Sequence, residues 1–130
     1  MAKQMVADSM TRKIVYLPGD TMLDEAAQVM RDQGIGDVVV TQGPTLTGLV
    51  TDRDIVTRAI AEGLPPHTTP LSAILSRELI MVEQSATVEE AVQAMRDRSV
   101  RRLLVCDADR KLVGIISLSD VAMLRASTPA

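Results

Sequence analysis

Residues 48–55 read Gly48-Leu49-Val50-Thr51-Asp52-Arg53-Asp54-Ile55, and residues 114–121 read Gly114-Ile115-Ile116-Ser117-Leu118-Ser119-Asp120-Val121. Each stretch is a glycine, two aliphatic residues, a hydroxyl residue, two variable positions, an aspartate and an aliphatic residue. The aliphatic run suits a buried strand, and a hydroxyl residue three positions before a carboxylate suits the start of a helix. A strand that runs directly into a helix, twice at nearly constant spacing, predicts a mixed α+β fold made of two copies of one unit.

The repeat extends outward from these stretches. A shift of 65 residues lays Val6-Ala7-Asp8-Ser9-Met10-Thr11-Arg12 over Leu71-Ser72-Ala73-Ile74-Leu75-Ser76-Arg77. It also lays Glu25-Ala26-Ala27-Gln28-Val29-Met30-Arg31-Asp32 over Glu90-Ala91-Val92-Gln93-Ala94-Met95-Arg96-Asp97, and Val38-Val39-Val40 over Leu103-Leu104-Val105. One extra residue in the second copy's turn changes the shift to 66. Each copy, of roughly 60 residues, is longer than the 20–50-residue periods of solenoids, propellers and arrays, and only two copies are present, so the expectation is a closed pair.

Within each copy the pattern is strand, helix, strand, strand, helix. Short apolar runs at 14–17 and 79–83 predict small strands. Leu23, Ala26, Ala27 and Met30 recur at helical spacing behind a Thr21/Asp24 capping-box pattern, and Val88, Ala91, Val92 and Met95 do so behind Thr87/Glu90. Strands follow at 37–41 and 46–50, joined through Gln42-Gly43-Pro44, and at 102–106 and 112–116, joined through 107–110. A closing helix carries Ile55, Val56, Ala59 and Ile60 in the first copy, ending near Gly63, and Val121 with Leu124 in the second. Residues 64–70 hold three prolines, which forbid a continuous helix or ladder, and read as a linker between copies at 7–63 and 71–126.

Composition narrows the function. The chain has 130 residues, 46% hydrophobic and 24% charged, with a net charge of −3. It is long enough to bury roughly two thirds of its unfolded surface, and its charge offers no basic face for nucleic acid. No apolar run reaches the roughly 18 residues that cross a bilayer, and residues 1–10 lack a signal peptide's apolar stretch. A cytoplasmic protein with no membrane partner is expected. One cysteine, Cys106, and one histidine, His67, leave little material for a disulfide, a metal site or a nucleophilic triad. The expectation is no enzyme, no catalytic residues and no required metal or cofactor. Cys106 is expected at a core or rim position, His67 in the exposed linker, and the methionines Met22, Met30, Met81, Met95 and Met123 as core filling.

The duplicated order of elements, with the Gly-apolar-apolar-Thr/Ser-x-x-Asp motif closing each third strand, resembles the CBS-domain pair, or Bateman module, over most of the chain. The 48–56 run and the 59–65 continuation are similar to stand-alone bacterial two-CBS proteins of the hypoxic-response type, and no effector domain is expected beside the pair. The resemblance implies tandem CBS repeats related by a pseudo-twofold axis, a homodimer, and clefts that bind an adenosine-containing ligand such as AMP, ADP, ATP or S-adenosylmethionine. It implies a regulatory sensor that passes occupancy to an unknown effector protein. The alternative is a ligand-free dimeric interaction or scaffold protein of a stress response.

The residues themselves allow both readings. N–H groups freed where a strand turns into a helix at Thr51 or Ser117 can meet a phosphate, and the carboxylate of Asp54 or Asp120 suits ribose hydroxyls. The same residues can instead simply cap the helix. Gly48 and Gly114 leave room for a ligand or a neighbouring strand. The copies differ where Arg101-Arg102 stands over Gly36-Asp37, because guanidinium forks suit phosphates and a carboxylate repels them. By resemblance Arg101 and Arg102 reach a ligand's phosphates, with a salt bridge as the alternative, and Arg53 is either a phosphate contact or an intrahelical pair. Tyr16, aligned with Met81 where the resemblance puts the adenine, is positioned to stack on a base or to pack with its hydroxyl in water. Val29, Val56 and Ile60 would be left partly exposed in an isolated pair, which favours the dimer.

Overall fold

The computed structural model describes residues 4–121. In chain order the elements are helix α1 (Val6–Ser9), strand β1 (Tyr16–Pro18), α2 (Leu23–Gln33), β2 (Asp37–Gln42), β3 (Thr45–Thr51), α3 (Asp52–Asp54), a π-helical segment (Ile55–Ile60), a 3-10 turn (Leu71–Ala73), β4 (Met81–Glu83), α4 (Val88–Arg98), β5 (Arg102–Cys106) and β6 (Leu112–Ser117). The predicted mixed α+β fold and its duplicated order are both present. The chain divides into two compact units, one of residues 15–79 and the other of residues 4–14 with 80–121 among those described.

The units do not follow the repeat boundaries. Residues 71–79, which open the second copy, fold with the first, while residues 4–14, which open the first, fold with the second. Each opening segment therefore sits in the unit of the other copy.

In the 15–79 unit, β1 pairs in parallel with β2, and β2 pairs antiparallel with β3. The opening segment joins β3 at an isolated bridge, with Leu49 N–H donating to Ser76 O (3.0 Å) and Ser76 N–H to Leu49 O (2.9 Å). Alternation places Val38, Val40 and Val50 on one face, where they pack with Leu23, Ala26 and Met30 of α2, Ile55 and Ala59 of the π-helical segment, and Leu71 and Ile74. Fully burying each large aliphatic residue is worth about 1.5–3 kcal/mol.

The second unit repeats this plan. β4 pairs in parallel with β5, β5 antiparallel with β6, and Thr11 and Ile115 exchange backbone bonds of 2.8 and 2.9 Å. Leu103, Val105 and Ile116 pack with Val88, Val92 and Met95 of α4, with Val6 and Met10, and with Val121. Helical backbone resumes at 118–121, while Leu124 and Met123, also read as helix and core, lie outside the described residues. Cys106 is buried, as are Met30 and Met95.

Several boundaries differ from the sequence reading. β1 and β4 are confined to the three residues that find partners on β2 and β5, so Ile14 and Val15 precede the strand. The Thr21/Asp24 capping box does not form. Thr21 N–H is drawn into a turn on Pro18 O (3.1 Å), so α2 starts at Leu23 with Met22 as its cap and no side-chain cap bond. The proline stretch does that work through backbone, since Leu23 N–H donates to Thr69 O (2.9 Å) and Asp24 N–H to Pro66 O (3.1 Å). The Thr87/Glu90 box does form, with Glu90 N–H on Thr87 Oγ1 at 3.1 Å. The closing helix of the first copy is α-helical only through Asp54 and then widens, Ala61 N–H reaching back five residues to Val56 O (2.9 Å).

The segment 64–70 is fastened to α2 through its side chain too. His67 Nδ1 lies 2.8 Å from Asp24 Oδ2, with His67 exposed. The hydrogen bond between them lowers Asp24 below the usual carboxylate value and raises His67 above the usual imidazole value.

Candidate functional site

Each Gly-apolar-apolar strand ends in a closed capping box. Thr51 N–H donates to Asp54 Oδ2 (2.9 Å) and Asp54 N–H to Thr51 Oγ1 (3.0 Å). Ser117 N–H donates to Asp120 Oδ2 (2.9 Å) and Asp120 N–H to Ser117 Oγ (3.1 Å). The capping geometry thus holds at both positions, and it leaves Oδ1 of each aspartate outside the cap. Both aspartates are half-buried.

The residue before each second strand is tied to the same turn. Asp52 N–H donates to Gly36 O (2.9 Å), and Leu118 N–H donates to Arg101 O (2.8 Å). Across the ladder Asp37 stands opposite Thr51, and Arg102 opposite Ser117. The register therefore brings Arg101 and Arg102 to the Ser117/Asp120 turn, where the first unit has Gly36 and Asp37. Arg101 is exposed and Arg102 half-buried. Arg53 is exposed on the first helical turn, its N–H donating to Asp52 Oδ1 (2.8 Å).

Tyr16 is 47% exposed. It is registered with Val39, itself opposite Leu49, so these three form a row on the sheet face turned away from the helical core. Asp37 and Thr51 form the next row of that face, about 7 Å along the strands. Met81, Leu104 and Ile115, followed by Arg102 and Ser117, repeat the arrangement. Gly48 and Gly114 make room for protein. A Cβ on Gly48 would lie 2.5 Å from Ser76 O, and one on Gly114 would lie 2.9 Å from Thr11 O.

Arg58 was not among the sequence candidates. Its Nε lies 3.7 Å from Asp54 Oδ1, and its Nη1 donates to Ile74 O at 3.2 Å. The i, i+4 spacing from Asp54 was the available signal.

Two concavities mark the surface of the 15–79 unit. One, of about 390 Å³, is at the hairpin end of the first sheet, lined by residues including Gly19, Thr41, Gly43, Ser72 and Arg77. The other, of about 350 Å³, runs from Asp52 of the aspartate turn past Ile55 and Val56 to Ala27, Met30, Arg31 and Ile35. Among the described residues no cluster of three or more His, Cys, Asp or Glu could hold a metal ion, and no helix is long and apolar enough to cross a membrane.

Two units of one strand–helix pattern, each with a hydroxyl–aspartate turn at its third strand, define a duplicated α+β module. The CBS domain model matches residues 3–60 and 71–127, and the chain belongs to the CBS-domain family. It is 34% identical over 122 residues to the CBS domain-containing protein YhcV of Bacillus subtilis, covering 94% of this chain and 86% of that one. It is 32% identical over 116 residues to Hypoxic response protein 1 of Mycobacterium tuberculosis, covering 88% and 80%. A match of 30% over 117 residues spans 89% of this chain but 23% of a Homoserine O-acetyltransferase of Methanosalsum zhilinae.

Among solved structures, an uncharacterized conserved protein of Pyrococcus horikoshii superposes with a TM-score of 0.84 at 27% identity, covering 98% and 96% of the two chains. Hypoxic Response Protein I, solved with two coordinated zinc ions, gives 0.68 at 30% identity, covering 93% and 98%. The CBS pair of MJ0100, in complex with 5′-methylthioadenosine and S-adenosyl-L-methionine, gives 0.79 at 21% identity, covering 96% and 98% and showing a shared fold.

Proposed function

We propose that the chain is a non-enzymatic regulatory module that binds an adenosine-containing ligand at the Thr51/Asp54 or Ser117/Asp120 turn and acts as a homodimer. The observation that carries this reading is the duplicated turn. In both units one carboxylate oxygen caps the helix while the other stays outside the cap, on a half-buried aspartate beside a strand end. A carboxylate so held is a preorganised acceptor for a ribose hydroxyl, and the adjoining helix start adds a favourable field for phosphate. MJ0100's adenosine ligands, on a protein of the same fold, make AMP, ADP, ATP and S-adenosylmethionine the class to test first.

In this reading Tyr16 borders the base, and Arg53, Arg101 and Arg102 serve the phosphates. Val56, which lines the outer helical groove, and Ile60, 58% and 52% exposed, supply the apolar face of a dimer. The closed capping boxes favour a second reading, in which the turns are structural and the module is a ligand-free interaction protein.

Calorimetry with AMP, ATP and S-adenosylmethionine on the parent and on the Asp54→Ala and Asp120→Ala variants separates the two. Binding that is lost site by site supports the sensor, and no heat with any of the three supports the interaction protein.

A further inference from the structure

The carboxylate oxygen of Asp54 that lies outside the cap has a partner of its own. Asp54 Oδ2 is taken by Thr51 N–H (2.9 Å), and Oδ1 faces Arg58 Nε at 3.7 Å. Arg58 is itself held from the other side, its Nη1 donating to Ile74 O at 3.2 Å. Ile74 is buried in the core of the same unit and belongs to the segment that bridges β3 through Ser76. The guanidinium is thus anchored at two points rather than swinging free. In the second copy the position aligned with Arg58 is Leu124, an uncharged residue.

We infer that Arg58 gates the Asp54 carboxylate, competing with ligand hydroxyls for Oδ1 and so making the first copy's site weaker for a neutral nucleoside than the same site would be with leucine there. This rests on the proposed ligand role of Asp54. The physical basis is that a carboxylate already paired must give up or share that pair to accept a ligand hydroxyl. Screening of the pair by salt loosens the competitor without touching an uncharged ligand. The gate also links the site to residues 71–76, because an Arg58 released from Asp54 keeps only its bond to Ile74 O.

The test is adenosine titration of the full chain, followed at the Thr51 and Asp54 amides by NMR. Adenosine carries no charge, so Arg58 cannot attract it electrostatically. Arg58→Leu, which copies the second repeat, is expected to tighten adenosine at this site about two- to fivefold, the equivalent of one partly exposed ion pair. Arg58→Gln, which keeps a polar side chain but no charge, is expected to do the same. In the parent, adenosine affinity at this site should rise with added salt, and in both variants it should stay flat. Asp54→Asn added to Arg58→Leu should remove the gain. Equal or weaker adenosine binding in both Arg58 variants, with binding still present, overturns the gate and leaves the site standing. Absence of any shift at Thr51 and Asp54 with adenosine, AMP or ATP in every variant overturns the ligand site and the gate together.

Discussion

The carbonyl oxygen of Ser76 lies so close to the α-carbon of Gly48 that one added methyl group would meet it at 2.5 Å. That contact lies where the opening segment of the second copy is stitched to β3, and Gly114 repeats it against Thr11 at 2.9 Å. Glycine at the head of each motif is thus demanded by packing. The backbone oxygens it accommodates are themselves hydrogen-bonded and cannot move aside without loss.

Gly48→Ala is therefore expected to destabilise the fold by about 1–3 kcal/mol, the usual cost of forcing a methyl into a filled space. Urea unfolding monitored by circular dichroism measures this. A variant as stable as the parent would show that the 71–76 segment yields easily.

Asp54 and Asp120 each accept a cap bond from the chain's own backbone, at Thr51 N–H and Ser117 N–H. Replacing either with Ala should lower stability by about 1 kcal/mol and, at its own site, weaken an adenosine ligand by about 1.5–3 kcal/mol. Asn keeps a cap-competent oxygen, so Asp54→Asn and Asp120→Asn should separate the two effects in paired thermal melts and calorimetry. Equal loss of stability with no change in affinity would assign the aspartates to capping alone.

The arginines beside Ser117 have no counterpart beside Thr51, where Gly36 and Asp37 stand. Changing Arg101 and Arg102 together to Gln should bring AMP affinity at that site down toward that of adenosine, each charge-assisted contact contributing about 1.5–3 kcal/mol. Added salt should erode the AMP preference of the parent, since exposed charges are screened over about 8 Å at physiological ionic strength. AMP binding that is indifferent to the double change would place these arginines in salt bridges.

The His67–Asp24 pair gives the proline segment a pH-dependent fastening. His67 is raised, so its contribution is complete below about pH 6.5, the ordinary imidazole value, and is lost as pH climbs through the higher folded value. Asp24 is lowered, so its contribution is present above about pH 4 and is lost as pH falls through the lower folded value. The fastening is strongest between those limits. An NMR titration of the His67 ring should give a midpoint above 6.5 that falls in Asp24→Asn; an unchanged midpoint would mean that the pair does not persist in solution.

Val56 and Ile60 are each more than half exposed on the same helical segment, and Val56 lines the outer groove. Light scattering at micromolar concentration is expected to give the mass of two chains, and Val56→Glu is expected to shift it to one. A monomer mass for the parent would remove this face from consideration as a dimer contact.

Much of this was legible in the residues. The constant shift between copies, the apolar runs Val38-Val39-Val40 and Leu103-Leu104-Val105, and the hydroxyl-to-aspartate spacing each report local geometry, and the second and third strands of each copy and three of the four capping boxes lie where those signals put them. The fourth failed because Thr21 and Asp24 carry the right pattern while the carbonyls of Pro18 and Pro66 already take the two N–H groups that the box would serve. The i, i+4 spacing of Arg58 from Asp54 was legible, but its second partner, the Ile74 carbonyl, comes to it only through packing. The exchange of opening segments left no sequence trace at all, since alignment matches each segment to its counterpart and is silent about which sheet it will border.

That exchange bears on the ancestry and dissection of the molecule. A gene encoding one copy would yield a product whose third strand lacks the neighbour for which Gly48 or Gly114 is shaped, unless two such products traded their first dozen residues. Joining two copies in one reading frame makes the trade permanent and independent of concentration. A protease cut within 64–70 would leave each half holding a strip that belongs to the other, so the severed pieces would be bound by the same trade that the intact chain makes with itself.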